Sequence, residues 1–136
     1  MIILDTSGLL CLLDSGEKEH SRAVEAVEAS PGPLVTIDLV LAETDYLVLE
    51  RLGQRAERAF VAQLISGAIH REAVTSDDLV RALAISKRYE DQDLGLTDST
   101  VMALTERLET RKVLTLDRRH FGPFRDRRGR ALELLP

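Results

Sequence analysis

The stretch MIILDTSGLL, residues 1–10, decides the fold that we predict for this 136-residue chain. Its residues 2–4, Ile-Ile-Leu, form a short apolar run that ends at Asp5, which is the pattern of a buried strand. Thr6 or Ser7 can cap the helix that we expect next. Because a buried strand leading directly into a helix is typical of α/β proteins, we predict a mainly parallel sheet covered on both faces.

The same alternation of strands and helices continues along the rest of the chain. The clearest interruption is Pro31-Gly32-Pro33, and no linker or internal repeat divides the sequence. We therefore predict one domain spanning residues 1–136. The predicted strands are 2–4, 34–37, 71–75, 112–116 and 131–135, and the predicted helices are 6–13, 17–29, 38–52, 54–69, 76–89 and 97–109.

Length and composition exclude several classes of protein. A domain of 15.1 kDa buries enough surface to fold without a disulfide or a structural metal. The single cysteine, Cys11, excludes an internal disulfide and a cysteine-rich zinc site, and we expect it to be a core residue. No apolar run approaches the ~20 residues of a membrane span, and no basic residue precedes the apolar start. We therefore predict a soluble, cytoplasmic protein that makes no contact with a membrane.

The net charge of -5 hides an uneven distribution along the chain. Residues 111–130 hold eight basic and two acidic side chains, a balance of +6. The remaining ten basic and 21 acidic residues give -11. A solvated surface stretch would explain the basic segment, and so would a surface that faces phosphate groups.

Two carboxylates follow predicted strands directly. Asp5 ends the run IIL, and Asp117 ends the run VLTL. In parallel sheets, ligands bind beyond the carboxyl ends of the strands, so both side chains are candidates for a functional site. Each also has a structural explanation, since Asp5 can cap a helix and Asp117 can begin a turn.

Two further carboxylates interrupt the apolar faces of predicted helices. Glu43 lies between Leu39 and Leu47 at helical spacing, and Asp98 aligns with Met102. Buried carboxylates are rare unless they are paired or bind a cation, and Mg²⁺ prefers oxygen ligands. The alternatives are an ion pair for Glu43 and a favourable first-turn position for Asp98.

Four further residues are considered for a place in the site or in the core. Asp93 is a fifth acidic candidate, because it lies in the loop just before the predicted helix 97–109. His120 follows two arginines and could contact a substrate, although a surface or structural role is the simplest interpretation. We expect Tyr46 and Phe60 to be core residues.

Four segments, in order, resemble the PIN-domain ribonucleases, and more narrowly the VapC toxins of bacterial toxin–antitoxin pairs. They are LDTSGLL, AETDYL, GLTDST and LTLDRRHF, and the resemblance extends over nearly the whole chain. It implies a PIN-like three-layer α/β/α sandwich with a central parallel sheet. It also implies a Mg²⁺-dependent endoribonuclease, with Mn²⁺ as another possible ion, that cleaves tRNA or the sarcin–ricin loop of ribosomal RNA.

The resemblance also assigns roles to individual residues and partners. The family's acidic positions correspond to Asp5, Glu43, Asp98 and Asp117, which are expected to hold the metal and catalyse hydrolysis. Thr6 or Ser7 matches the hydroxyl residue after the first acid, and Thr115 precedes the last one. Arg118 and Arg119 are predicted to bind the RNA backbone, and Thr6 and Ser7 are predicted to contact the RNA substrate as well. A VapB-type antitoxin and a homodimer are the expected protein partners.

Three alternative functions belong to other classes. A PIN module without catalytic activity would bind RNA or protein as a scaffold, but such a module would be expected to lack one or more of the four acids. A phospho-receiver domain needs an acid pair after its first strand, whereas Thr6 and Ser7 follow Asp5. A haloacid-dehalogenase-type phosphatase requires a second aspartate where this chain has Ser7.

Overall fold

A computed structural model describes residues 1–136 and contains five strands, seven α-helices and one 3₁₀ helix. The strands are β1 (Ile2–Leu4), β2 (Leu34–Thr36), β3 (His70–Arg71), β4 (Lys112–Leu114) and β5 (Glu133–Leu135). The helices are α1 (Thr6–Leu13), α2 (His20–Glu28), α3 (Asp38–Leu52), α4 (Gln54–Ser66), α5 (Ser76–Arg88), α6 (Leu96–Arg107) and α7 (Arg118–Phe121), with the 3₁₀ turn at Glu90–Gln92. No helix is both long enough and apolar enough to cross a membrane.

All five strands form one parallel sheet in the order β3-β2-β1-β4-β5. The chain builds the sheet outward from β1 to β3 and then returns to the other side of β1 with β4. The order therefore reverses between β1 and β4, and this is where α/β sheets bind ligands. The helices flank the sheet, with α3 packed against α1 and α4, and with α5 packed against α6. The predicted α/β/α fold is confirmed.

The apolar run at residues 2–4 forms the central strand of the sheet, β1. Ile2, Ile3 and Leu4 are at most 1% exposed, because β1 has a neighbour on each side and helices on its faces. Immediately after it, Gly8 brings α1 against β4. A Cβ at Gly8 would lie 2.1 Å from the backbone oxygen of Leu114, so a side chain cannot be accommodated unless α1 moves. This close packing fixes the distance between the ends of β1 and β4.

Several predicted boundaries are wrong by a few residues. Strand 71–75 is reduced to His70–Arg71, and strand 112–116 ends at Leu114. Helix α5 is capped by Thr75 rather than Ser76, because Thr75 and Asp78 form a reciprocal capping box. The short helix α7 was not predicted, since its four residues carry no apolar periodicity.

Two predictions about burial are also wrong, and both concern helix α3. Tyr46 is 64% exposed rather than part of the core, whereas Phe60 is buried as predicted. Glu43 is exposed rather than enclosed in an apolar stripe. The buried face of α3 is formed by Val40, Leu41, Thr44 and Val48, so Glu43 and Tyr46 lie on the other side of the helix.

Candidate active site

The carboxyl edge of the sheet brings together the four acids that the sequence singled out. Asp5, Glu43, Asp98 and Asp117 line one cavity of about 330 Å³. Asp5 and Asp117 arrive at the ends of the neighbouring strands β1 and β4. The acids thus meet at the point where strand order reverses.

Asp5 is the most deeply placed of these acids, with 3% of its surface exposed. Its Oδ2 accepts hydrogen bonds from the hydroxyls of Ser7 and Thr115, each at 2.8 Å, and from the Ser7 backbone at 3.4 Å. Burial raises the pKa of Asp5, although these hydrogen bonds counteract the rise in part. Its Oδ1 accepts no hydrogen bond within the protein, so one oxygen is held and the other is free.

The hydroxyls beside Asp5 bind the two strand ends to each other. Ser7 Oγ lies 3.1 Å from Thr115 Oγ1 and accepts a hydrogen bond from the backbone of Leu116 at 2.9 Å. Thr115 Oγ1 in turn accepts one from the backbone of Asp117 at 3.0 Å. Between the two candidates for the hydroxyl that accompanies Asp5, Ser7 is the one that contacts it. Thr6 instead donates to Glu43.

Glu43 reaches the cavity from α3 and has both of its oxygens engaged. Thr6 Oγ1 donates to Oε2, and Thr97 Oγ1 donates to Oε1, each at 2.8 Å. These two donors come from the first turns of α1 and α6. Although Glu43 is exposed, its carboxylate is therefore held in one orientation at the rim of the site.

Asp98 lies in the first turn of α6 and accepts no hydrogen bond within the protein. Its one charged contact is with His120 Nδ1 at 3.6 Å. Burial raises the pKa of Asp98 to about 6, and the negative charges of Asp5, Asp117 and Glu43 act in the same direction. In the absence of a cation, this carboxylate is thus the least well compensated charge of the site.

Asp117 is held by its own short helix and by His120. Its Oδ1 accepts the backbone N–H of His120 at 3.0 Å, and its Oδ2 lies 2.7 Å from His120 Nδ1. His120 therefore lies beside two of the four acids and orients Asp117, which is a structural role within the site. Its spacing of three residues from Asp117 would have indicated the contact if a helix had been predicted there.

The donor set fits a hard divalent cation. Asp5 and Asp98 each present an oxygen without a protein partner, while Glu43 and Asp117 are oriented by hydrogen bonds. Carboxylate oxygens are ligands that Mg²⁺ prefers. A bound cation would also offset the repulsion between these closely spaced negative charges. Ligand atoms of Asp98, Asp117 and His120 also lie within 4.8 Å of one another, which is a spacing that one ion can bridge.

Other predicted residues lie outside this cavity. The Arg118 guanidinium donates to the backbone oxygen of Pro136 at 2.6 Å, and Arg119 is exposed. Asp93 is exposed and lines a different depression, beside α5. The one cation that lines the acidic cavity is Arg51 of α3, which the sequence analysis did not select.

Much of the basic segment at residues 111–130 is engaged within the protein. Arg130 pairs with Asp126 at 2.8 Å, and Arg127 lies 3.4 Å from Glu106. Glu106 is in the last turns of α6, about 12 Å of helix rise away from Asp98. These arginines thus surround the opposite end of α6 from the acids.

Comparison with known proteins identifies the family. The PIN domain model matches residues 2–126. Ribonuclease VapC26 of Mycobacterium tuberculosis is 37% identical over 135 residues, covering 99% of this chain and 100% of that protein. The 23S rRNA-specific endonuclease VapC20 of the same species is 31% identical over 104 residues, which is 76% of this chain and 79% of that one.

Solved structures agree with this assignment. The crystal structure of M. tuberculosis VapC20, described as a sarcin–ricin loop cleaving toxin, superposes with a TM-score of 0.78 at 27% identity, covering 86% of this chain and 90% of that one. VapBC2 from Rickettsia felis, crystallised with a fragment of promoter DNA, gives a TM-score of 0.72 at 14% identity over the full length of both chains, which shows the shared fold. The resemblance drawn from the four sequence segments is confirmed: this chain belongs to the PIN domain family and, within it, to the VapC ribonucleases.

Proposed function

We propose that this chain is the toxin of a type II toxin–antitoxin pair, an endoribonuclease that requires Mg²⁺ or Mn²⁺ and inhibits translation by cutting the sarcin–ricin loop of ribosomal RNA. The observation that supports it best is that Asp5 and Asp98, which each keep an oxygen without a hydrogen bond from the protein, face one cavity together with Glu43 and Asp117. The choice of substrate is supported by VapC20, whose name specifies 23S rRNA. VapC26 is named only as a ribonuclease, so tRNA is the alternative substrate class.

Each acid has a distinct role in this proposal. Asp5 and Asp98 bind the metal directly through their free oxygens. Glu43 and Asp117 have their oxygens engaged by protein donors, and they contribute directly or through water. A bound divalent ion supplies a water of lowered pKa and offsets the negative charge that develops on the phosphate.

The reaction that we propose is hydrolysis of one phosphodiester. The water oxygen forms a bond to phosphorus in line with the leaving group, and the bond between phosphorus and the 3′ oxygen breaks. The products are a 5′-phosphate and a 3′-hydroxyl. In this proposal Glu43, which Thr6 and Thr97 hold at the rim of the cavity, accepts the proton of the water, and the 3′ oxygen takes up a proton from solvent.

The test is cleavage of a hairpin RNA that carries the sarcin–ricin sequence. We expect one cut site in Mg²⁺ or Mn²⁺, no cleavage in EDTA, and recovery when the ion is restored. Asp5→Asn should lower the rate by at least about a hundredfold, because it removes a ligand charge. Asp91→Asn, at an exposed acid outside the cavity, is the matched control.

Two outcomes would contradict this proposal. Equal cleavage with and without EDTA would exclude the metal-dependent mechanism. Cleavage of tRNA with the hairpin left intact would exclude the ribosomal substrate while leaving the nuclease mechanism in place.

We also propose a VapB-type antitoxin as the protein partner and a homodimer as the free form. A toxin must be kept inactive in the cell that makes it, and the -11 balance outside residues 111–130 favours a partner that presents basic side chains to the acids. Analytical ultracentrifugation of the purified chain tests the dimer, since a monomer would sediment as 15.1 kDa.

A further inference from the structure

Arg51 is the single cation among the residues that line the acidic cavity. It lies near the end of α3, eight residues beyond Glu43, which is about 2.2 turns and about 12 Å of helix rise. Glu43, Leu47 and Arg51 are spaced four residues apart, so all three lie along one face of the helix. Side chains of a helix lean toward its N-terminus, and Arg51 thus extends back toward the acids.

The guanidinium of Arg51 has no partner in the protein. No carboxylate lies within 4.0 Å of it, and none of its N–H groups donates a hydrogen bond. The cavity is lined by five acids, and an arginine that served to neutralise one of them would contact it. These acids are Asp5, Glu17, Glu43, Asp98 and Asp117. Five donors therefore remain available to a ligand.

The chemistry of the cavity determines which ligand suits these donors. An arginine fork binds phosphate oxygens through two parallel hydrogen bonds, and it remains charged at every physiological pH. The acids that line the same cavity would repel a bare anion, whereas an RNA strand can present one phosphate to a bound metal and a neighbouring phosphate to Arg51. The separation of about 12 Å along α3 between Glu43 and Arg51 leaves room for a second phosphate beside the one that is cut.

We propose that Arg51 is a positioning residue that binds a backbone phosphate of the RNA next to the one that is cut. This inference rests on the proposed function, since it requires that RNA enters the acidic cavity. Phosphate contacts fix the register of a nucleic acid without reading its sequence. Arg51 would accordingly contribute to RNA affinity and alignment, and leave metal binding unchanged.

The experiment compares Arg51→Gln with Arg55→Gln, which removes an equal charge from an exposed arginine of α4 outside the cavity. Binding of the sarcin–ricin hairpin is measured in the Asp5→Asn background over a series of salt concentrations. For Arg51→Gln we expect affinity to fall about three- to tenfold and the salt slope to fall by about 0.7 to 0.9, as for one lost phosphate contact. For Arg55→Gln we expect little change in either quantity.

Cleavage by the otherwise wild-type enzyme gives a second measurement. Arg51→Gln should raise KM more than it lowers kcat, and its Mn²⁺ affinity by calorimetry should equal that of the wild type. Unchanged RNA affinity in Arg51→Gln, or equal losses in the two arginine variants, would overturn the inference. Failure of the wild-type chain to cut RNA would instead overturn the proposed function, and the two failures are therefore distinguishable.

Discussion

Asp98 is the residue at which the function of the site and the stability of the metal-free fold oppose each other. Its carboxylate accepts no hydrogen bond, and burial together with three neighbouring acids raises its pKa to about 6. Because the folded-state pKa is above the ordinary value of 3.8, ionisation of Asp98 destabilises the folded chain. The penalty begins as pH rises through 3.8 and is complete above about pH 6.

We predict that Asp98→Asn stabilises the metal-free protein. The free energy of unfolding in EDTA should rise by about 1 kcal/mol at pH 8, after the shift is discounted for partial solvent screening. At pH 4 the gain should disappear, since Asp98 is then protonated in the folded state. Urea unfolding at the two pH values measures both quantities. A variant less stable than wild type at pH 8 would show that Asp98 has a structural partner.

His120 shows how a residue with a weak sequence pattern can belong to a site. It lies 2.7 Å from Asp117 and 3.6 Å from Asp98, so its ring joins two acids that come from different elements. The sequence placed it in a loop after two arginines, where histidines are common. Its contact with Asp117 depends on α7, a helix of four residues that carries no periodic pattern of its own.

At the scale of elements, α5 and α6 are joined by buried and half-buried ion pairs. Arg81 donates to both oxygens of Glu106, at 2.6 and 2.8 Å. Arg107 donates to Asp78 at 2.9 Å and to Glu72 at 2.8 Å. These contacts orient α6, and Asp98 is in the first turn of that helix.

We predict that Arg107→Ala destabilises the fold by about 1 to 3 kcal/mol, because it leaves the buried Asp78 without its cation. Burial alone would raise the pKa of Asp78, but hydrogen bonds from Thr75 and Arg107 outweigh it and lower the pKa. A lowered pKa means that the contribution is fully present above about pH 4 and is lost as pH falls further. The difference in the free energy of unfolding between Arg107→Ala and the wild type should therefore become smaller below about pH 4.

Thermal unfolding monitored by circular dichroism measures this prediction. Arg55→Ala on α4 is the matched control, since Arg55 is exposed and forms no ion pair. Equal melting temperatures for Arg107→Ala and Arg55→Ala at pH 7 would show that the contacts of Arg107 contribute nothing to stability.

The elements also show what the sequence could and could not predict. Asp5 and Asp117 were predictable because parallel strands deliver the residues that follow them to one edge. Glu43 was selected for the wrong reason, since apolar residues occur on both faces of α3 and the buried face could not be identified from periodicity. Arg51 escaped notice, although its spacing of eight residues from Glu43 places both on one helix face.

For the whole molecule, the distribution of charge determines which partners can approach the active edge. The acids converge on one cavity, whereas several arginines of residues 111–130 surround the far end of α6 in ion pairs with Glu106 and Asp126. The carboxyl edge thus attracts cations, and these include divalent ions and basic side chains of a protein partner.

We predict that the proposed antitoxin, co-expressed with this chain, inhibits cleavage through a basic side chain that contacts these acids. Inhibition should weaken severalfold as NaCl rises from low to physiological concentration, because the contact is electrostatic. Titration of purified antitoxin into the cleavage reaction at each NaCl concentration measures the inhibition constant. Arg55→Gln, at an exposed residue outside the cavity, should leave the inhibition constant unchanged. Inhibition that does not depend on salt would contradict an ionic contact.

The hydrogen bond between Thr115 and Asp5 joins residues that are 110 positions apart. It has a consequence for how the enzyme is made. A ribosome adds Asp5 to the chain 112 residues before it adds Asp117, which follows β4. Because β4 pairs directly with β1, no earlier fragment of the nascent chain contains the complete set of acids. Under the proposed function, a nascent chain therefore has no activity, and no effect on the ribosome that produces it, until β4 and Asp117 have been translated and β4 has paired with β1.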